Sequence, residues 1–149
     1  MDWIKLKSSD LELVLNKPQL EILKAESLRS AGRDIAAESL DSVVLRIRAE
    51  IAASGFNSLD PDHSRIPPEL KECALRLAIE GLQVRLPQME LSQMQIRHAD
   101  YARELLMRVS LGKLPISRPQ YSIRTASRKK DVVYGSAAKN ATRDSMKGI

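Results

Sequence analysis

The sequence predicts an all-α fold, a small helical bundle of three long and one or two short helices with an extended C-terminal tail. Three observations lead there. Apolar residues recur with the 3.6-residue period of a helix in almost every segment before Gly112. No stretch of that region alternates with period 2, so no sheet is expected in it. Most prolines and glycines fall at the edges of the periodic segments, where helices start and stop. At 149 residues the chain has room for one domain with an appendage, read as a bundle over 1–112 and a tail over 113–149.

Two short pieces come first. Ser9 and Asp10 cap a turn or two running through Leu15, and Pro18 opens a helix to about Arg29 with Leu20, Leu23 and Leu28 inward. The first long helix covers about 34–54, because Ala36, Leu40, Val43, Val44, Ile47 and Ile51 fall on one stripe. A second opens at Pro67-Pro68-Glu69, with proline tolerated in the first turn and a carboxylate at the positive end of the dipole. It stops before Pro87 and is apolar around most of its circumference, apart from Glu72, Arg76, Glu80 and Gln83. That pattern predicts a central, enclosed helix, in which Gly81 marks a close crossing. The third, about 90–111, carries Leu91, Met94, His98, Ala102, Leu105 and Val109 on its predicted inner stripe and ends at Gly112. About ten residues at 56–66 form the longest loop.

Composition narrows the function classes. Aromatic residues make up only 3% of the chain, which argues against a site built on stacking. No apolar run exceeds three residues, far short of the ~20 a membrane span needs. The start, Met1-Asp2-Trp3-Ile4-Lys5, has no apolar signal-peptide core, so the expectation is a protein that works or assembles inside a cell, without a membrane partner. One cysteine, Cys73, cannot form an internal disulfide, which leaves stability to burial.

Motifs for chemistry are thin. His63 lies in the loop Asp60-Pro61-Asp62-His63 with no Cys or His at metal-site spacing, and reads as solvated. His98 reads as a bundle histidine satisfied by a neighbour. Cys73 sits where a small apolar residue would serve and reads as buried rather than catalytic. The six glycines are scattered, so no phosphate loop exists. The run Glu72, Arg76, Glu80 is i,i+4 surface pairing. No enzyme, cofactor or metal is expected.

The charge, by contrast, is informative. From Lys113 onward nine basic residues face two acidic ones, a net of +7, whereas residues 1–112 carry fifteen basic and seventeen acidic residues, a net of −2. The tail therefore holds all of the chain's excess positive charge. It also loses the helical period, and its nine larger apolar residues are too few to offset the entropy of ordering 37 residues. Tyr121, Ile123 and Thr125 alternate with Ser122, Arg124 and Ala126, and Asp131-Val132-Val133-Tyr134-Gly135 reads as a second extended piece. Such segments can add a strand to a partner's sheet edge. The tail should take its shape from another molecule.

Several elements in this order resemble a known family. They are Trp3-Ile4 followed by Ser9-Asp10-Leu11, the helix at 34–54, Ile66-Pro67-Pro68-Glu69-Leu70-Lys71 leading into Ala74-Leu75-Arg76-Leu77-Ala78, and Ala102-Arg103-Glu104-Leu105-Leu106-Met107-Arg108-Val109 closing in Leu111-Gly112-Lys113-Leu114-Pro115. Over roughly residues 3–119 the chain resembles the small helical head–tail connector proteins of tailed bacteriophages, also called adaptor or head-completion proteins. The resemblance implies a structural role in the virion neck, assembled in the host cytoplasm. Such proteins form a homo-oligomeric ring, usually a dodecamer, that docks on the portal protein. The ring extends the channel through which genomic DNA passes and offers a platform to a neck or tail-completion protein.

In several relatives the C-terminal segment anchors the subunit to the portal. Carried to this chain, that makes Tyr121, Ile123, Val132, Val133 and Tyr134 the anchors, with Arg118, Arg124, Arg128, Lys129 and Lys130 supplying charge complementarity. The competing reading is a nucleic-acid-binding helical protein whose basic tail coats phosphates.

Overall fold

A computed structural model describes residues 2–121. In order, the chain forms a two-residue strand β1 (Ile4–Lys5), a 3-10 turn (Ser8–Leu13), helix α1 (Lys17–Arg29), helix α2 (Ile35–Ser54), strand β2 (Arg65–Ile66), a second 3-10 turn (Pro68–Leu70), and helices α3 (Lys71–Arg85) and α4 (Gln93–Ser110). The fold is all-α, as predicted. Helices α2, α3 and α4 each pack on the other two, while α1 lies against α2. No helix among the described residues is long and apolar enough to cross a membrane.

Helix α2 follows its sequence closely. The Asp34 carboxylate caps it by accepting the Ala37 N–H at 3.0 Å, and all six residues of the predicted stripe are buried. Helix α3 is the enclosed central helix, with seven of its fifteen residues buried. Its crossing with α2 is close at Gly81, where an added Cβ would stand 3.3 Å from Ser39 Oγ. That hydroxyl donates to the Ala78 carbonyl at 2.9 Å, so the crossing is fixed by a hydrogen bond as well as by the missing side chain. Of the predicted surface pairs, Arg76 meets Glu72, but Glu80 bridges instead to Arg103 of α4.

Other expectations need correction. The buried stripe of α4 is Gln95, Ala99, Ala102, Leu106 and Val109: Ala102 and Val109 are buried as predicted, and the contact turns away from Met94, His98 and Leu105. Met94 is 57% exposed, and His98 and Leu105 are half-buried at the edge of the contact. The true stripe carries less hydrophobicity because small alanines let α4 approach its neighbours and because its first residue is polar.

That polar residue belongs to a pair. Gln95 and Gln19 are both buried, and each amide nitrogen donates to the other's amide oxygen at 2.8 Å. Each also closes its own helix start, Gln19 with Asn16 and Gln95 with Ser92, in reciprocal capping boxes. The remaining donors reach the Glu90 and Val14 carbonyls. Two helix N-termini are thus joined through a satisfied amide pair. Gln95→Leu should lower stability by about 2–3 kcal/mol, because the Val14 carbonyl and the Ser92 N–H lose their partner. Urea unfolding with an unchanged m-value would register it.

A small antiparallel pair, Ile4 with Ile66 and Lys5 with Arg65, occurs where no sheet was expected. Two residues are too few to display a period. Leu28, read as inward, is 84% exposed, whereas Gln19 and Leu23 are buried and Leu20 and Ile22 pack partly buried against the core.

Past Gly112 the chain does not leave the bundle at once. Gly112 has φ +73°, and a Cβ there would lie 3.0 Å from the Phe56 ring, so glycine both turns the chain and passes the ring. Leu114 and Ile116 then pack against the core, and Pro119 is buried.

Candidate partner-binding site

The tail begins at a fixed point built from four separate segments. Trp3, only 2% exposed, donates its indole Nε1–H to the Ser117 carbonyl at 2.9 Å. On the other side of the same residue, the Glu69 carboxylate accepts the Ser117 N–H through Oε1 and the Ser117 hydroxyl through Oε2 at 3.0 Å. Ser117 is therefore held through its carbonyl, its amide and its side chain. Glu69 can reach it because the prolines at 67 and 68 start a 3-10 turn that presents this side chain beside the strand pair.

Trp3 is itself positioned by Arg48, whose guanidinium lies 5.6 Å from the ring centroid. Arg48 projects from α2 and donates to the carbonyls of Asp60 at 2.6 Å, Asp62 at 3.1 Å and Arg65 at 2.8 Å. It gathers the 56–66 loop and feeds it into β2, which pairs with the strand following Trp3. Burial pulls the guanidinium pKa down, while Asp60 and Asp62 push it back up. The loop supports itself as well: Asp60 Oδ1 accepts the Asp62 N–H at 2.8 Å, and the Ser64 hydroxyl and N–H on the Asp62 carboxylate hold its pKa below the usual range.

Of the ten residues predicted to bind a partner, two lie in the described part. Arg118 is exposed, one residue beyond the clamp. Tyr121 is 70% exposed and, with Gln120, borders a depression of about 290 Å³ whose other walls include Asp2, Asp60, Asp62 and Arg65. Ile123, Arg124, Arg128, Lys129, Lys130, Val132, Val133 and Tyr134 lie outside the described residues. The structure thus brings Tyr121 to an acidic rim at the root of a basic segment.

The sequence reading missed Trp3, Arg48, Glu69 and Ser117 as a group. The one available signal was the chain's single tryptophan near its start.

His63 is exposed in its loop. Cys73 is buried, its thiol donates to the Ala102 carbonyl at 3.4 Å, and burial pushes its pKa up to about 12, the reverse of an activated nucleophile. His98, expected to be satisfied by a neighbour, has a buried Nδ1 with no hydrogen-bond partner. Among the described residues no group of three or more His, Cys, Asp or Glu is placed to hold a metal ion. The chain matches no family model, no curated protein and no solved structure.

Proposed function

We propose that the protein is a head–tail connector subunit of a tailed bacteriophage, a ring-forming structural protein that docks on the portal through its C-terminal segment. The observation that carries this reading is the division of charge. A helical body of net −2 bears a segment of net +7 beyond Gly112, too poor in apolar residues to build a core of its own. The clamp on Ser117 supports the same reading, because it fixes the point from which an anchoring segment departs. A segment rooted at a constant position can reach the same site on a partner in every copy of a ring, at a smaller entropic cost than one swinging from a loose joint.

In this reading, Tyr121 and the apolar residues beyond it supply contact area, and the cations select an acidic docking face. Strong phosphate contacts would oppose DNA movement through a channel, so the cations are assigned to the portal.

The test compares the full chain with a variant ending at Tyr121, which keeps every clamp contact. The connector reading expects the full chain to bind the phage's portal protein and form rings visible by electron microscopy. The shortened chain should lose this binding while retaining its helicity. Portal binding that survives the truncation would overturn the anchoring role. Salt-dependent retention of duplex DNA, lost on truncation and seen without any portal binding, would move the assignment to a phosphate-coating tail.

A further inference from the structure

One exposed face of α1 is left without partners by the rest of the fold. Lys17, Glu21, Lys24 and Leu28 fall at steps of 4, 3 and 4, which stacks them on one side of the helix, and all four are exposed, Leu28 to 84%. The spacing allows Glu21 to pair with either lysine along the helix. Yet Lys17, Glu21 and Lys24 make no ion pair with each other or with any other described residue, although their neighbours do: Glu26 bridges to Arg29 at 2.8 Å and Arg33 to Glu38 at 2.6 Å.

Beside this stripe runs a depression of about 660 Å³, bounded by Leu20, Leu23 and Leu28 of α1, Glu12 of the first 3-10 turn and Ala36 of α2. Leu20 is only half-buried and so offers apolar surface along one flank of the stripe. On the other flank, the small exposed side chain of Ala25 leaves room for a second helix to approach.

The order of charges decides what fits. Laid parallel, two copies of α1 set lysine against lysine and glutamate against glutamate. Laid antiparallel about a two-fold axis passing between residues 22 and 23, they set Glu21 against Lys24 twice and Leu28 against Lys17 twice. Each leucine then covers Leu20 and the aliphatic stem of Lys17 in the other copy, while that ammonium stays in water. We propose that α1 is an interaction surface for a second copy of this chain, paired antiparallel in a two-fold dimer through two Glu21–Lys24 bridges and two Leu28 contacts. A two-fold contact uses the same patch on both copies and closes at two, so it is separate from the head-to-tail contact of a ring. The proposal goes beyond the connector reading and does not depend on it.

Sedimentation equilibrium of the full chain tests this. The parent should pass from monomer to dimer as concentration rises, and do so more weakly at high salt. Glu21→Lys sets lysine against lysine at both bridges and Lys24→Glu sets glutamate against glutamate, so each variant alone should weaken the dimer about tenfold or more. Mixed in equal amounts, the two variants restore both bridges, and the mixture should dimerise as tightly as the parent. Leu28→Asp should weaken the parent dimer by a similar factor. The three positions are exposed, so circular dichroism should show parental helicity in every variant. A chain that stays monomeric up to about 1 mM would overturn the proposal. So would self-association that ignores these substitutions, or a mixture that dimerises no more tightly than its separate variants.

Discussion

Trp3→Ala should lower the stability of the protein by about 3–5 kcal/mol, the range for removing a large buried aromatic side chain. Its ring is 2% exposed, so truncation leaves a cavity under β1 and removes the surface over which Arg48 lies. The loss has a directional part as well. Without the indole N–H, the Ser117 carbonyl loses its donor, and the hold on residues 113–121 falls to Glu69, the packing of Leu114 and Ile116, and buried Pro119. Limited proteolysis should then cut between Gly112 and Tyr121 in the variant and spare that stretch in the parent. Trp3→Phe separates the two contributions: it keeps most of the packing and loses the hydrogen bond, for a cost of about 1 kcal/mol. If Trp3→Ala leaves the unfolding midpoint in place, the tryptophan does not organise this end of the molecule.

Arg48→Met should cost a comparable amount, about 3–5 kcal/mol, for a different reason. Three loop carbonyls lose a charged donor at once, and methionine fills the space of the aliphatic stem without replacing any of the three bonds. Arg48→Lys should recover less than half of the loss. A single ammonium cannot reproduce the planar fork that spans the carbonyls of Asp60, Asp62 and Arg65. The two positions share one face of a ring, so their effects should not add; a double-mutant cycle should give a coupling of at least 0.5 kcal/mol. Additive losses would mean that the Arg48–Trp3 cation–π contact carries no energy.

How much of this was legible in the sequence varies from element to element. Helix α2 was, because one run of aliphatic residues at helical spacing buries one face and Gly55 closes its end in the left-handed conformation; its cap, Asp34, came only with the structure. Helix α3 was, because prolines bracket it and Gly81 signals the close crossing. The α4 register was not: periodicity weighs side chains by hydrophobicity, and the contact there uses Ala99, Ala102 and a glutamine whose amide is satisfied by another glutamine 76 positions away. No local pattern reports such a partner.

The clamp escaped for the same reason. A tryptophan, an arginine, a glutamate and a serine in four different segments look unremarkable until the fold brings them together. The sequence reading also placed the end of the body at Gly112, since the helical period stops there. Leu114, Ile116 and Pro119 show that packing continues for several residues after periodicity ends. Of the candidate anchoring residues, Tyr121 was named from alternation, and it is exposed at the end of the described residues.

The bond between Trp3 and Ser117 joins residues 114 positions apart. Trp3 can make this bond only after Ser117 has been translated and the segment following α4 has folded back onto the body. The entropic cost of closing so long a loop grows only slowly with its length, but the contact cannot form before its second half exists. A chain that stops short of Ser117 lacks this bond, so closing it ties the completion of the segment after α4 to the very strand that opens the fold.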